Sequence, residues 1–97
     1  MQSLKAMSRL GDLTTGHGCY PPVVGVTAST NVMINGRFAH KVGDTFSPHA
    51  CGVSVHSDVA SSGSSKVIIN GTGAMRLGDS LAPGGRMAAA SWTVFAA

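Results

Sequence analysis

The sequence predicts an all-β domain made of three β-hairpin units, the third divided between the two ends of the chain. Three observations predict this. The segment STNVMING at Ser29–Gly36 returns as SSKVIING at Ser64–Gly71, an offset of 35 residues. The same offset carries Ala39 onto Ala74, Lys41 onto Arg76, Gly43 onto Gly78 and Asp44 onto Asp79. Self-similarity at a fixed period is the signature of a repeated supersecondary unit. The chain ends then hold complementary halves of one more copy. Met7–Asp12 reads as the second half of a unit and Ser91–Ala96 as the first.

Within a unit, the first arm is a strand because its β-branched residues alternate: Val32 and Ile34, Val67 and Ile69, with Val94 and Ala96 in the split copy. These six are assigned to the core. Asn35-Gly36 and Asn70-Gly71 follow, the residue pair best suited to a two-residue hairpin turn. The return arm runs to a Gly-Asp pair at Asp12, Asp44 and Asp79, where an aspartate can bond nearby backbone and start a turn. A split copy predicts that the first and last strands pair, which closes the body and leaves no free edge. Met33, Ile68 and Phe95 occupy equivalent positions on the opposite face of the first arms. That face is either buried as well or presented as an apolar ring to a partner.

Composition agrees with one small domain spanning residues 1–97 and narrows the function classes. Charged residues are 11% of the chain, aromatics 5%, and glycines number 13, which suits tight turns rather than a helical bundle. The net charge of +3 comes from scattered residues, with no basic cluster or aromatic ladder, so nucleic acid is not an expected partner. The start MQSLKAMSRLGD lacks the apolar run of a cleaved signal, so synthesis and initial residence in a cytoplasm are expected. No G-x-S-x-G elbow accompanies the serines and histidines, which disfavours a Ser-His hydrolase.

The units resemble PAAR repeats, in which Pro-Ala-Ala-Arg is followed by Val-Gly-Asp. The matching positions are Phe38-Ala39-His40-Lys41-Val42-Gly43-Asp44 and Gly73-Ala74-Met75-Arg76-Leu77-Gly78-Asp79. Both copies lose the proline and replace the second alanine, while the flanking frame and the Gly-Asp are kept. Gly16–Pro22 is also similar to the phage type of this family. The resemblance implies a sharp pseudo-threefold cone that caps the end of a trimeric β-helical spike in a phage tail or a type VI secretion system. It implies a non-enzymatic tip, one copy per spike trimer, with transient contact at the target membrane. The finished protein would then belong to a virion tail tip or be injected with the spike. Some members carry effector cargo, so an adaptor on the spike is the alternative role. Met33, Ile68 and Phe95 are the expected spike-binding residues.

The resemblance also implies one structural zinc near the apex, held by histidine and cysteine. His17 lies five residues after Asp12 and His49 five after Asp44, so equivalent loops bring both to one pole. The third such loop, Ser80–Gly84, offers no ligand, and the linker after the second unit supplies Cys51 and His56. The expected set is therefore His17, His49, Cys51 and His56, which meets the four N or S ligands that zinc takes. Cys19 is the alternative thiolate, and a Cys19–Cys51 disulfide is a competing reading, disfavoured in a reducing compartment. His40, in the return arm, is expected to point away from that pole. Asp58 is the one acid outside the Gly-Asp turns, two residues from His56. It is thus the one candidate base for the less favoured reading as a zinc hydrolase.

Overall fold

The computed structural model describes residues 4–97. Among these residues ten short strands form five antiparallel pairs. In chain order they are β1 (Lys5–Ala6), β2 (Met33–Ile34), β3 (Arg37–Phe38), β4 (His49–Cys51), β5 (Ser54–His56), β6 (Val59–Ala60), β7 (Ile68–Ile69), β8 (Thr72–Gly73), β9 (Leu81–Ala82) and β10 (Phe95–Ala96). None of the described residues forms a helix long and apolar enough to cross a membrane.

The hairpins fall where the repeat places them. β2 pairs with β3 and β7 with β8, each across an Asn-Gly turn whose two residues have positive φ: 51° and 80° at Asn35-Gly36, 50° and 87° at Asn70-Gly71. The split copy also closes. β1 pairs with β10, with Lys5 opposite Ala96 and Ala6 opposite Phe95.

Three equivalent sets of bonds build the three units. Ser29, Ser64 and Ser91 each accept, on Oγ, the backbone N–H three residues ahead, at 2.8, 2.8 and 3.0 Å. At the far end of each unit, Asp12, Asp44 and Asp79 accept the N–H of Arg9, Lys41 and Arg76, each at 2.8 Å. The same aspartates pair with the side chains of those three basic residues. The Gly-Asp repeat and its basic companion are therefore one turn device.

The units are then locked to one another at the second-alanine positions. Ser8 N–H donates to Met75 C=O, Met75 N–H to His40 C=O, and His40 N–H to Ser8 C=O, at 2.9, 3.0 and 3.0 Å. This closed triangle of backbone hydrogen bonds lies between two apolar clusters. One contains Met7, Ala39 and Ala74 together with Ile34, Ile69 and Ala96, and Val32, Val67 and Val94 pack against it. The other contains Phe46, Ala60, Met75, Leu81 and Met87. The six residues assigned to the core from their alternation all lie in or against the first cluster. Met33, Ile68 and Phe95 remain exposed at 56%, 56% and 50%, so the reading with both faces buried does not hold.

One large and two small side chains share the centre of the first cluster, because Met7 stands where the other units have Ala39 and Ala74. Both alanines are fully buried. Ala74→Met should therefore overpack the junction and destabilise the fold by about 1–3 kcal/mol in denaturant unfolding.

Candidate metal centre

Four side chains converge beyond the second cluster. His17 comes from the tight loop after the first Gly-Asp turn, His49 from β4, His56 from the facing position on β5, and Asp58 from just after β5. His49 and His56 are register partners, which places two imidazoles side by side. Phe46 N–H bonds the Asp58 carbonyl, so the apolar cluster fixes the backbone that carries the carboxylate.

The donor atoms sit close together. His56 Nε2 is 2.8 Å from Asp58 Oδ1, 3.0 Å from His49 Nε2 and 3.1 Å from His17 Nε2. His17 Nε2 is 3.3 Å from Asp58 Oδ1, and His49 Nε2 is 3.2 Å from Asp58 Oδ2. The four ligand atoms all fall within 4.8 Å of one another. His49 and Asp58 are almost wholly enclosed, with side chains 1% exposed.

Three features of this group fit a bound cation. First, a tetrahedral ion with bonds of about 2.0–2.1 Å separates its ligands by roughly 3.3 Å, close to the spacings observed. Second, His49 Nδ1 lies 2.8 Å from the carbonyl of Pro21. A carbonyl only accepts, so Nδ1 is the donor, and in the neutral ring Nε2 carries its lone pair toward the cluster, as a ligand requires. Third, Asp58 Oδ2 is buried with no hydrogen-bond donor among the described residues, since the His49 Nε2 beside it carries a lone pair, an arrangement that is costly unless a cation meets it. The donor set is three imidazoles and one carboxylate, which suits a borderline divalent ion.

The expected residues are thus placed as follows. His17, His49 and His56 come together. Cys51 does not join them: it forms a disulfide with Cys19, with their Cα atoms 5.4 Å apart. The reducing compartment expected at synthesis argued against this bond. The fold nevertheless brings the loop carrying Cys19 and the β4–β5 hairpin within bridging distance, and neither cysteine is free. Asp58 stands where the thiolate was expected, and its carboxylate contacts all three histidines, so it is not a free base. Its signal in the sequence was its two-residue spacing from His56, which puts both on one side of an extended segment. Tyr20 was not foreseen. Its ring packs 4.2 Å from His56 and 5.0 Å from both His17 and His49, centroid to centroid, and its hydroxyl bonds Ser54.

His40 does not point away from this pole. Its ring is fully buried against Phe46 of the second cluster, with Nδ1 bonded to Ser8 Oγ at 2.6 Å. Its Nε2 faces Gly25, where any Cβ would overlap the ring. Burial is the main cause that pushes its pKa down from 6.5 to about 4. Asp44 and Asp12 act upward against it, and Lys41 acts downward.

Asp58→Asn should reduce the metal content of the purified protein, read by elemental analysis. The Cys19→Ser/Cys51→Ser variant should keep its metal while losing about 3–4 kcal/mol of stability with the cross-link. For His40, the unfolded chain binds a proton near pH 6.5 and the folded chain only near 4. Stability should be full above pH 6.5, fall as the pH drops through that window, and level off near 4, a loss of about 3 kcal/mol. Unfolding titrations of His40→Met, which places in this unit the residue found at Met75, should lack that part of the slope.

Comparison with protein families matches the PAAR motif over residues 10–89, most of the chain. No curated protein matches the sequence. The matched span contains both complete hairpin units, the Gly-Asp turns and all four side chains of the candidate metal centre. On that match, the chain belongs to the PAAR motif family.

Proposed function

We propose that this protein is the metal-pinned tip of a contractile injection system, a non-enzymatic cone that caps the end of a trimeric β-helical spike. Family membership supports association with a spike or tail structure. The observation that carries the reading is the outward face of the three first arms. Met33, Ile68 and Phe95 hold the same position in three units, and each remains half exposed. Large apolar side chains repeated around one end of a small domain mark a surface meant to be covered. Three such positions match a partner with three equal chains, one tip to one trimer.

The metal in this reading is zinc, one per chain, with a structural role. His17, His49, His56 and Asp58 would complete four-coordination and leave no open position for substrate, as structural sites do. The loop bearing His17 and the β4–β5 hairpin would then be tied at the end opposite the spike. Zinc of this kind contributes on the order of 10 kcal/mol to small domains, which suits a point driven through a target membrane. In this reading the protein travels as part of a virion tail tip or is injected with the spike.

Binding to the β-helical end of the spike trimer tests the proposal. Native mass should give one tip per three spike chains. The combined variant Met33→Ser, Ile68→Ser, Phe95→Ser should lose this binding. Its folding should change by only about 0.5 kcal/mol per site, because these side chains are already exposed. A ratio other than one to three, or undiminished binding by the variant, would overturn the proposal.

A further inference from the structure

The three units meet at three corners beside the outward face, and one corner differs from the other two. It holds a cleft of about 340 Å³ lined by Arg9, Asn35, Arg37, Trp92 and Thr93. Asn35 Nδ2 donates to Thr93 Oγ1 across it at 3.0 Å, and the next corner repeats this bond as Asn70 to Asn31 at 3.0 Å. Arg9 has its basic counterparts in Lys41 and Arg76, but Trp92 and Arg37 are not repeated. By the offsets of the units, Trp92 corresponds to Thr30 and Ser65, and Arg37 to Thr72 and Lys5. Only this corner joins an indole to two guanidinium groups.

Its charge is unbalanced. Asp12 is the one acid in contact with the two arginines, which leaves the corner with one positive charge in excess. The carboxylate is also saturated. Oδ2 accepts Arg9 N–H and Nε, and Oδ1 accepts Arg9 Nη2 and Arg37 Nη1. The Arg37 contact is the longest of the four, at 3.4 Å, against 2.8–3.1 Å for the others. Among the described residues the Arg37 side chain makes no other hydrogen bond, and it is 51% exposed. Its Nε and Nη2 donors therefore point to no protein acceptor. Trp92 is 88% exposed, an unusual position for the largest apolar side chain and one enriched in binding hot spots.

We propose that this corner binds an acidic peptide segment of a partner chain, with a carboxylate on Arg37 and an apolar neighbour on the Trp92 ring. Arg presents a planar fork that takes a carboxylate by two parallel bonds. Asp12 need not be displaced, because the donors used are those it leaves idle. The cleft volume falls in the range of small-ligand sites, enough for one or two side chains. The partner segment is expected in a single copy. A coaxial spike trimer would present three equal chains to three unequal corners and leave two of them without the pocket. That last step rests on the spike-capping reading, whereas peptide binding itself does not.

Trp92 is the only tryptophan in the chain, so its fluorescence reports the cleft directly. The probe is acetyl-Glu-Leu-Glu-amide, with acetyl-Gln-Leu-Gln-amide as its uncharged counterpart. Saturable change with the glutamate peptide, at least about tenfold weaker with the glutamine peptide, is expected from loss of a charge-assisted pair. Arg37→Gln should weaken the glutamate peptide to the same extent. Lys5→Gln, which removes one charge at the equivalent position of another corner, should leave binding unchanged. No saturable change, equal response to both peptides, or equal loss in Lys5→Gln and Arg37→Gln would overturn the proposal. None of these outcomes involves the spike, so failure here is distinct from failure of the capping role.

Discussion

The structure depends on three peptide groups that bond only to one another. Ser8, His40 and Met75 each give their N–H to one neighbour and take an N–H on their C=O from the other, at 2.9–3.0 Å. Buried backbone polar groups must be paired, and a triangle of this kind is complete only with three return arms. The chain has two full units, so its beginning must supply the third, and β10 must arrive beside β1 to finish that hairpin. Everything outward of the triangle follows. The alternating arms place valine, isoleucine and alanine inward and leave Met33, Ile68 and Phe95 outside. The three corners become contacts between consecutive units, each with a further backbone bond: Leu10 to Phe38, Val42 to Gly73 and Leu77 to Ala6.

Among the described residues the other end has no comparable backbone closure, and side chains do the tying there. Two loops and a hairpin converge, held by a disulfide between Cys19 and Cys51 and by four polar side chains around a common point. Three imidazole nitrogens and a carboxylate at about 3 Å make poor company without a cation, since His49 is oriented by Pro21 to present a lone pair inward. The two cross-links are independent in chemistry, one covalent and one built from donor atoms. They join the same pair of segments. Redundancy of this kind is what the proposed role of a tip under load would call for.

Departures from equivalence between the units carry the specific features. At the triangle the three side chains are Ser8, His40 and Met75, and only His40 is titratable. Its ring is accommodated because position 25 is glycine, and its depressed pKa keeps it neutral where a charge would be unpaired. At the corners, equivalent positions hold Trp92, Thr30 and Ser65, and only one corner has an indole beside spare guanidinium donors. In the proposed capping role a symmetric partner would be met by what the units share, and what they do not share would be available to a partner that has no symmetry.

The sequence alone determined the parts of this protein that repeat. A 35-residue offset, two Asn-Gly pairs, and half-units at the two ends were enough to give the hairpins, the inward residues and the pairing of β1 with β10. The physical reason is that hairpin turns and strand alternation are local, so they are written in neighbouring residues. The candidate metal centre was legible in part. Equivalent loops brought His17 and His49 to one pole, and the linker after the second unit supplied His56. Which fourth side chain reaches the cluster, and which sulfur meets which, depends on how unrepeated linkers lie against the core. Tertiary structure decided that Asp58 enters the cluster and that Cys51 turns to Cys19. It also turned His40 toward Phe46, and it left Trp92 in solvent. Those outcomes depend on the packing of segments far apart in the chain, and no local pattern encodes them.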